Sequence, residues 1–299
     1  MIEMIITQIL ILFGLMAIGF IANKRGILDE SSNRSFSKLI INIAIPATII
    51  SSSIGQNMDN KMEAMTVFAV AMAVFIITPI FGRFFVKKLK MNKTYEIMLV
   101  YSNLGFMGIP IISSIYGESA IFYVSIYMML FNISLFSYGI SIIQKDDASR
   151  VGIFKNLINP GIISAILGLV IFILDIPVPL PLVKLLATIG SVTTPLAMIV
   201  IGSTLAAVSI RDVIKDKTLY QFTFLKIVLI PGVLWFILQF FIHDAMILGI
   251  AVILTSLPTA GNVSMLCLEY DGDVELVTKG IFMSTIFSLV TIPVLLFLF

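Results

Sequence analysis

The sequence predicts an all-α membrane protein of ten transmembrane helices, arranged as two inverted five-helix repeats with one broken helix in each. Three observations predict it. Apolar residues fill 59% of the 299 positions and charged residues only 12%, too little polar surface for a soluble globule, in which charged residues approach a quarter. Basic residues alternate from one connection between apolar runs to the next. Prolines and glycines recur at matching places in the two halves of the chain.

Windows of about 20 apolar residues, the length that spans a bilayer, can be placed ten times. The first, 3–22, follows no basic region and carries no small-residue cleavage pattern, so it reads as a retained helix and not a signal peptide. The second, 35–54, contains Pro46, and the third, 65–86, contains Pro79. The fourth, 95–116, is interrupted by Asn103-Leu104-Gly105-Phe106-Met107-Gly108-Ile109-Pro110, and the fifth, 119–143, follows Gly117-Glu118. A polar link over 144–155 then separates a first unit, 1–143, from a second, 156–299. That unit repeats the plan: 157–175, 182–206 with Pro195, 219–241 with Pro231, 245–268 interrupted at Pro258-Thr259-Ala260-Gly261-Asn262, and 274–298 after Gly272-Asp273. Such weak internal symmetry is expected of transporter repeats. An odd number of helices per unit makes the second unit enter from the opposite side.

The charge pattern fixes an expected orientation. Of the 19 lysines and arginines, Lys61 and Lys184 alone fall in even-numbered connections and Lys226 within a window; the rest crowd the odd-numbered connections. By the positive-inside rule the odd connections are cytoplasmic, which places both termini outside. The net charge of +2 is uninformative, and no nucleic-acid partner is expected. Cys267 is the only cysteine, so no intrachain disulfide can form.

The two interruptions are the candidate site. Glycine, proline and amides at mid-membrane break a helix where irregular backbone is tolerated only if buried in protein or lining a polar cavity. The outer half of the fourth helix is expected to begin near Pro110 and the inner half of the ninth near Thr259 to Asn262. Both would aim free N–H groups and positive dipole ends at the midplane, a geometry that favours an anion. Asn103 and Asn262 either cap these half-helices or contact substrate, since an amide offers two donors and an acceptor. Gly108, Ile109, Pro110, Pro258 and Thr259 complete the candidate substrate-binding set. Lys226 is a functional candidate by its depth, its charge either offsetting the carbonyl ends of the broken helices or titrating with transport; the alternative is a snorkelling side chain.

Other chemistries fail. Asp271-Gly272-Asp273-Val274-Glu275 lacks calcium-loop spacing, and one histidine with one cysteine cannot build a zinc site. No serine has a histidine at membrane depth, and no paired intramembrane aspartates exist. No catalysis, metal or cofactor is expected. The sixteen methionines fill gaps between helices.

These residues resemble a known family. Asn103 with Met107-Gly108-Ile109-Pro110 and Tyr116-Gly117, then Leu257-Pro258, Glu269-Tyr270 and Ile292-Pro293, are similar to the two crossover helices of the auxin efflux carrier family, which holds the plant PIN-formed carriers and bacterial carboxylate permeases. The Pro-Thr-Ala-x-Asn form at 258–262 looks closer to the bacterial branch. The long cytoplasmic loop of many plant members is replaced here by the 144–155 link. The resemblance implies the fold shared with sodium/proton antiporters and bile-acid transporters. It also implies a scaffold of helices 1, 2, 6 and 7, a mobile crossover domain of helices 3–5 and 8–10, elevator movement, commonly a homodimer, and organic anions such as malonate, malate or indole acetate as substrates.

The expected function is secondary transport of a small organic carboxylate across the cell membrane. Two alternatives stand beside it: a sodium- or proton-coupled carrier of the antiporter or bile-acid type, and a non-transporting sensor that binds an anion.

Overall fold

A backbone with no water to bond must satisfy its own N–H and C=O groups, and a chain this apolar does so by winding into helices. The computed structural model describes residues 2–54, 61–117, 120–144, 160–174, 176–207 and 209–296. Met1, Phe299 and all but the first residue of the expected link lie outside the described residues. The helices in order are α1 Ile2–Lys24, α2 Glu30–Leu39, α3 Ile45–Ser53, α4 Lys61–Lys88, α5 Thr94–Val100, α6 Ile109–Tyr116, α7 Ile121–Ser134, α8 Ile140–Ile143, α9 Pro160–Leu174, α10 Leu180–Ser191, α11 Thr193–Leu205, α12 Ile210–Lys215, α13 Lys217–Phe224, α14 Ile230–Leu238, α15 Ala245–Ser256, α16 Gly261–Glu269 and α17 Val274–Leu296. No strand occurs among the described residues, only an isolated bridge between Ser102 and Thr259. Helix overlies each of the ten apolar windows. Among the described residues, four continuous stretches, Glu63–Lys88, Ile121–Ile143, Leu180–Leu205 and Lys217–Leu238, are long and apolar enough to cross a membrane.

Several prolines share one local device. Five-residue π-helical turns at Ile40–Ala44, Leu104–Gly108 and Leu225–Leu229 each end two residues before a proline: Pro46, Pro110 and Pro231. Proline supplies no N–H and its ring collides with the carbonyl four residues back. The wider turn, bonding residue i to i−5, opens the coil just ahead of the ring. Ile109 N–H bonds to Leu104 O, Ile45 to Ile40 O and Ile230 to Leu225 O, each on the residue before the proline. A fourth π turn, Leu135–Gly139, joins α7 to α8 without a proline.

Some helix starts outside the apolar windows carry acidic caps. Asp29 accepts from the backbone N–H and hydroxyl of Ser32, at 2.7 and 2.6 Å; these bonds, the hydroxyl first, hold its carboxyl below the ordinary value. Asp244 caps α15 through Met246 and Ile247 N–H.

Packing groups the helices. α1 lies along α11, and α3 packs against α9 and α10. The α1–α11 crossing is closed by glycine on both sides: a Cβ on Gly19 would stand 1.9 Å from Ile199 O, and one on Gly202 1.9 Å from Met16 O. α4 packs on α5 and α7, α14 on α15, and α17 on α13 and α16. The half-helices α5, α15 and α16 are almost wholly buried, with Ile97, Leu99, Ala251, Val263 and Leu266 at the centre of the apolar core.

Candidate substrate site at the crossing of two broken helices

The fourth helix breaks at Tyr101–Asn103, where extended backbone separates α5 from the π turn. The ninth breaks at Leu257–Ala260, between α15 and α16. The two open stretches cross antiparallel and bond to each other. Asn103 N–H donates to Pro258 O at 2.8 Å and Ala260 N–H to Tyr101 O at 3.0 Å. Ser102 Oγ donates to Thr255 O at 3.0 Å, and Thr259 Oγ1 to Met98 O at 3.0 Å. The offset that carries Ser102 onto Thr259 also carries Met98 onto Thr255, Tyr101 onto Pro258 and Asn103 onto Ala260, so these four bonds form two matched pairs.

This geometry moves one expected boundary. The break falls at Tyr101–Asn103, several residues before Pro110, because the π turn already accommodates the missing N–H of that proline. Pro110 therefore stands inside the second half-helix, and Tyr101, not Pro110, is the counterpart of Pro258. Asn103 corresponds to Ala260 and Asn262 to Gly105, so the two asparagines are not symmetry mates.

A cavity of about 390 Å³ lies against the crossing. Its walls come from α3, the first break, α7, the α10–α11 junction and the start of α16. Asn103, Ile109 and Asn262 line it, and none of the lining residues among those described carries a formal charge. Asn103 precedes its helix without any side-chain cap bond, and α16 is likewise uncapped by a side chain. Both amides are partly exposed and have no side-chain partner among the described residues, so capping does not account for either. Gly108 faces Leu254, where a Cβ would come within 2.8 Å of its Cδ2; Pro258 and Thr259 are buried in the bridge.

Sequence reasoning missed Asn132 on α7, a buried amide that lines the same cavity and donates to Met128 O at 2.6 Å. It also missed Thr48 and Thr193, whose hydroxyls meet at 3.1 Å on the opposite wall. The signal was available: Asn132 is a lone amide inside the apolar fifth window, and Thr48 and Thr193 each stand two residues from a helix proline.

Lys226 does not snorkel. It has no exposed surface, and its Nζ donates to Leu99 O at 2.9 Å and Ser102 Oγ at 2.7 Å. Ser102 has one proton and gives it to Thr255 O, so its oxygen is left to accept from the lysine. Leu99 O belongs to the last turn of α5, the negative end of that half-helix. Lys226 thus sits one hydroxyl behind the cavity wall. Matching Pro79 with Pro231 sets Val74 at its counterpart position in α4, an apolar residue where Lys226 carries a charge.

Ser51, Ala187 and Ser191 line the cavity away from the basic connections. On the other side α2 is tied to α16 and the turn after it: Ser37 Oγ donates to Met265 O at 2.7 Å, and Arg34 Nη1 reaches Leu268 O at 3.1 Å and Asp271 Oδ1 at 2.9 Å. The Asp271 bond is the main cause of the raised pKa of Arg34.

A family model described as "Membrane transport protein" matches residues 4–153 and 148–296. An uncharacterized transporter of Methanothermobacter thermautotrophicus is 26% identical over 289 residues, covering 93% of each chain. Another from Methanocaldococcus jannaschii is 24% identical, covering 95% of each. A protein of Rhizobium meliloti, named as a proposed malonate transporter, is 24% identical over 305 residues, covering 96% of this chain and 93% of its own. With matches running nearly end to end, the chain belongs to the auxin efflux carrier family of membrane transport proteins.

Proposed function

We propose that this transporter carries a small organic carboxylate by elevator-type alternating access around the cavity at the crossing. The observation that carries this reading is the pair of amides, Asn103 and Asn262, without a side-chain partner among the described residues, on a cavity whose described walls bear no formal charge. An anion there meets amide donors, the N-terminal ends of two half-helices, and the Lys226 ammonium behind Ser102. The Rhizobium meliloti relative named for malonate supports carboxylates as the class.

Ten spans in two inverted repeats are the architecture we assign, with the first repeat at 1–143 and the second at 156–299. The matched hydrogen-bond pairs across the two breaks support it, because an inverted repeat relates its broken helices by a twofold axis in the membrane plane. The packing of α1, α3 and α9–α11 supports a scaffold of helices 1, 2, 6 and 7, with the remaining helices moving against it and a homodimer as the assembly. With the basic connections in the cytoplasm, both termini are outside and the cavity opens outward past Ser51 and Ser191.

A thermal-shift panel of mono- and dicarboxylates, followed by counterflow in proteoliposomes, tests the function. A ligand of the folded state raises apparent stability by mass action, and a carrier then exchanges labelled for unlabelled ligand. Stabilisation without counterflow would identify an anion sensor instead. No response to any carboxylate would reject the substrate class.

A further inference from the structure

A second polar cavity, of about 520 Å³, lies on the face of the basic connections, walled by the end of α4, the turn into α5, and the α7–α8 helix. Arg83, Lys87, Lys90 and Lys93 line it, and none of the four has an ion-pair partner among the described residues. The one carboxylate in the cleft, Glu96, is buried and accepts a hydrogen bond from the Tyr138 hydroxyl. Four cations against this one carboxylate leave the cleft with an excess of positive charge.

The chain maintains this arrangement against its own preferences. Lys90 closes α4 at φ 53°, a left-handed position that glycine normally takes at a helix end because any Cβ is strained there. The neighbour of Lys87 shows what an unspecialised lysine does here: Lys88 lies 5.5 Å from the centroid of the exposed Phe84 ring, outside the cleft. Acidic residues gather in a separate depression beyond the turn, where Asp216, Asp273 and Glu275 line about 410 Å³. Lys90 borders both, so Arg83, Lys87 and Lys93 distinguish the basic cleft.

From this we infer that the cleft between α4, α5 and α8 binds a phosphate-bearing anion, with Arg83, Lys87 and Lys93 as its cationic wall. Basic pockets between membrane helices on the cytoplasmic side hold anionic headgroups, and a free phosphate has the same chemistry. The inference is independent of the carboxylate site, from which no residue of this cleft is drawn.

The test uses the purified full chain in nanodiscs of phosphatidylcholine alone or with one-fifth phosphatidylglycerol, and in detergent with inorganic phosphate. Thermal stability and lipid retention by native mass spectrometry are the readouts. The double variant Lys87→Gln/Lys93→Gln is compared with Lys88→Gln, which removes the same kind of charge from the same helix end but from outside the cleft. Loss of roughly thirtyfold in affinity in the double variant, with Lys88→Gln unchanged, is the expected result. Stabilisation by phosphatidylglycerol alone assigns a lipid headgroup, and stabilisation by phosphate as well assigns the bare anion. Equal loss in Lys88→Gln would reduce the effect to general surface charge and overturn the site. So would indifference of the wild type to both anions.

Discussion

Ser102 and Thr259 are bridged antiparallel at the crossing, and the hydroxyl of each donates to the last turn of the half-helix leading to the other. Ser102 satisfies Thr255 O, and Thr259 satisfies Met98 O. A broken helix inside a membrane leaves carbonyls that water cannot reach, each costing several kcal/mol. The two breaks solve this problem reciprocally, each supplying the other's caps, which explains why they occur as a pair and why they touch.

Thr259→Val keeps the shape of the side chain while deleting its donor, and leaves Met98 O buried without that bond. We expect a loss of about 1–3 kcal/mol in stability, read as a lowered unfolding midpoint in detergent. Ser102→Ala should cost at least as much, because it also removes one acceptor from Lys226. An unchanged midpoint in both would show that the bridge is incidental to the fold.

The asparagines should behave in the opposite way. Neither Asn103 nor Asn262 contributes a side-chain bond among the described residues, so replacement by alanine should leave thermal stability nearly unaltered. Affinity for the carboxylate should fall ten- to a hundredfold, the effect of losing one charge-assisted hydrogen bond of about 1.5–3 kcal/mol. Isothermal titration with the ligand found in the thermal-shift panel measures it. Wild-type affinity in both variants would remove the amides from the site.

Glycine at the α1–α11 crossing gives a stability prediction free of the site. Gly202→Val pushes a side chain into Met16 O and Gly19→Val into Ile199 O, so the helices must separate. Overpacking costs about 1–3 kcal/mol where side chains can yield, and here the obstacle is backbone. Both variants should unfold well below wild type, whereas Gly14→Ala, with nothing within 4 Å of its Cβ, should not. Equal stability of all three would mean that the crossing is looser than described.

Much of this was legible in the sequence, and the unread part has physical reasons. Both breaks lie inside apolar windows and are announced by proline, glycine and amides. Lys226 stood out because a charge at that depth is rare. The exact site of the first break was not legible, because Pro110 signals a missing donor without saying whether the helix opens or widens, and here it widens over Leu104–Gly108. Asn132 was passed over because a single amide on an otherwise apolar helix gives no clue to which face it occupies. The pairing of Ser102 with Thr255 and of Thr259 with Met98 is invisible in one dimension, since it depends on two segments crossing.

The membrane orientation has its own check. Ser191→Cys in a Cys267→Ala background should react with an impermeant maleimide added to intact cells, because Ser191 is exposed and lines the cavity that the proposed orientation opens outward. Lys88→Cys should react only after permeabilisation. The reverse pattern would invert the topology and open the cavity toward the cytoplasm.

Lys226 decides whether the carrier depends on a cation. Its ammonium already bonds the carbonyl end of α5 at Leu99 and the hydroxyl of Ser102, the kind of position where coupled carriers hold sodium against unwound backbone. Transport should therefore proceed with sodium replaced by choline. Lys226→Met keeps most of the apolar stem but removes the one formal charge behind the cavity, leaving Leu99 O unbonded and a bound anion facing only dipoles. Flux should fall at least tenfold, with a fall in affinity for the anion larger than the fall in thermal stability. Proteoliposome uptake with and without sodium reads both effects. A strict sodium requirement in wild type together with normal flux in Lys226→Met would leave the lysine as a structural tie between α5 and the eighth helix, and would return the coupled carrier as the better reading.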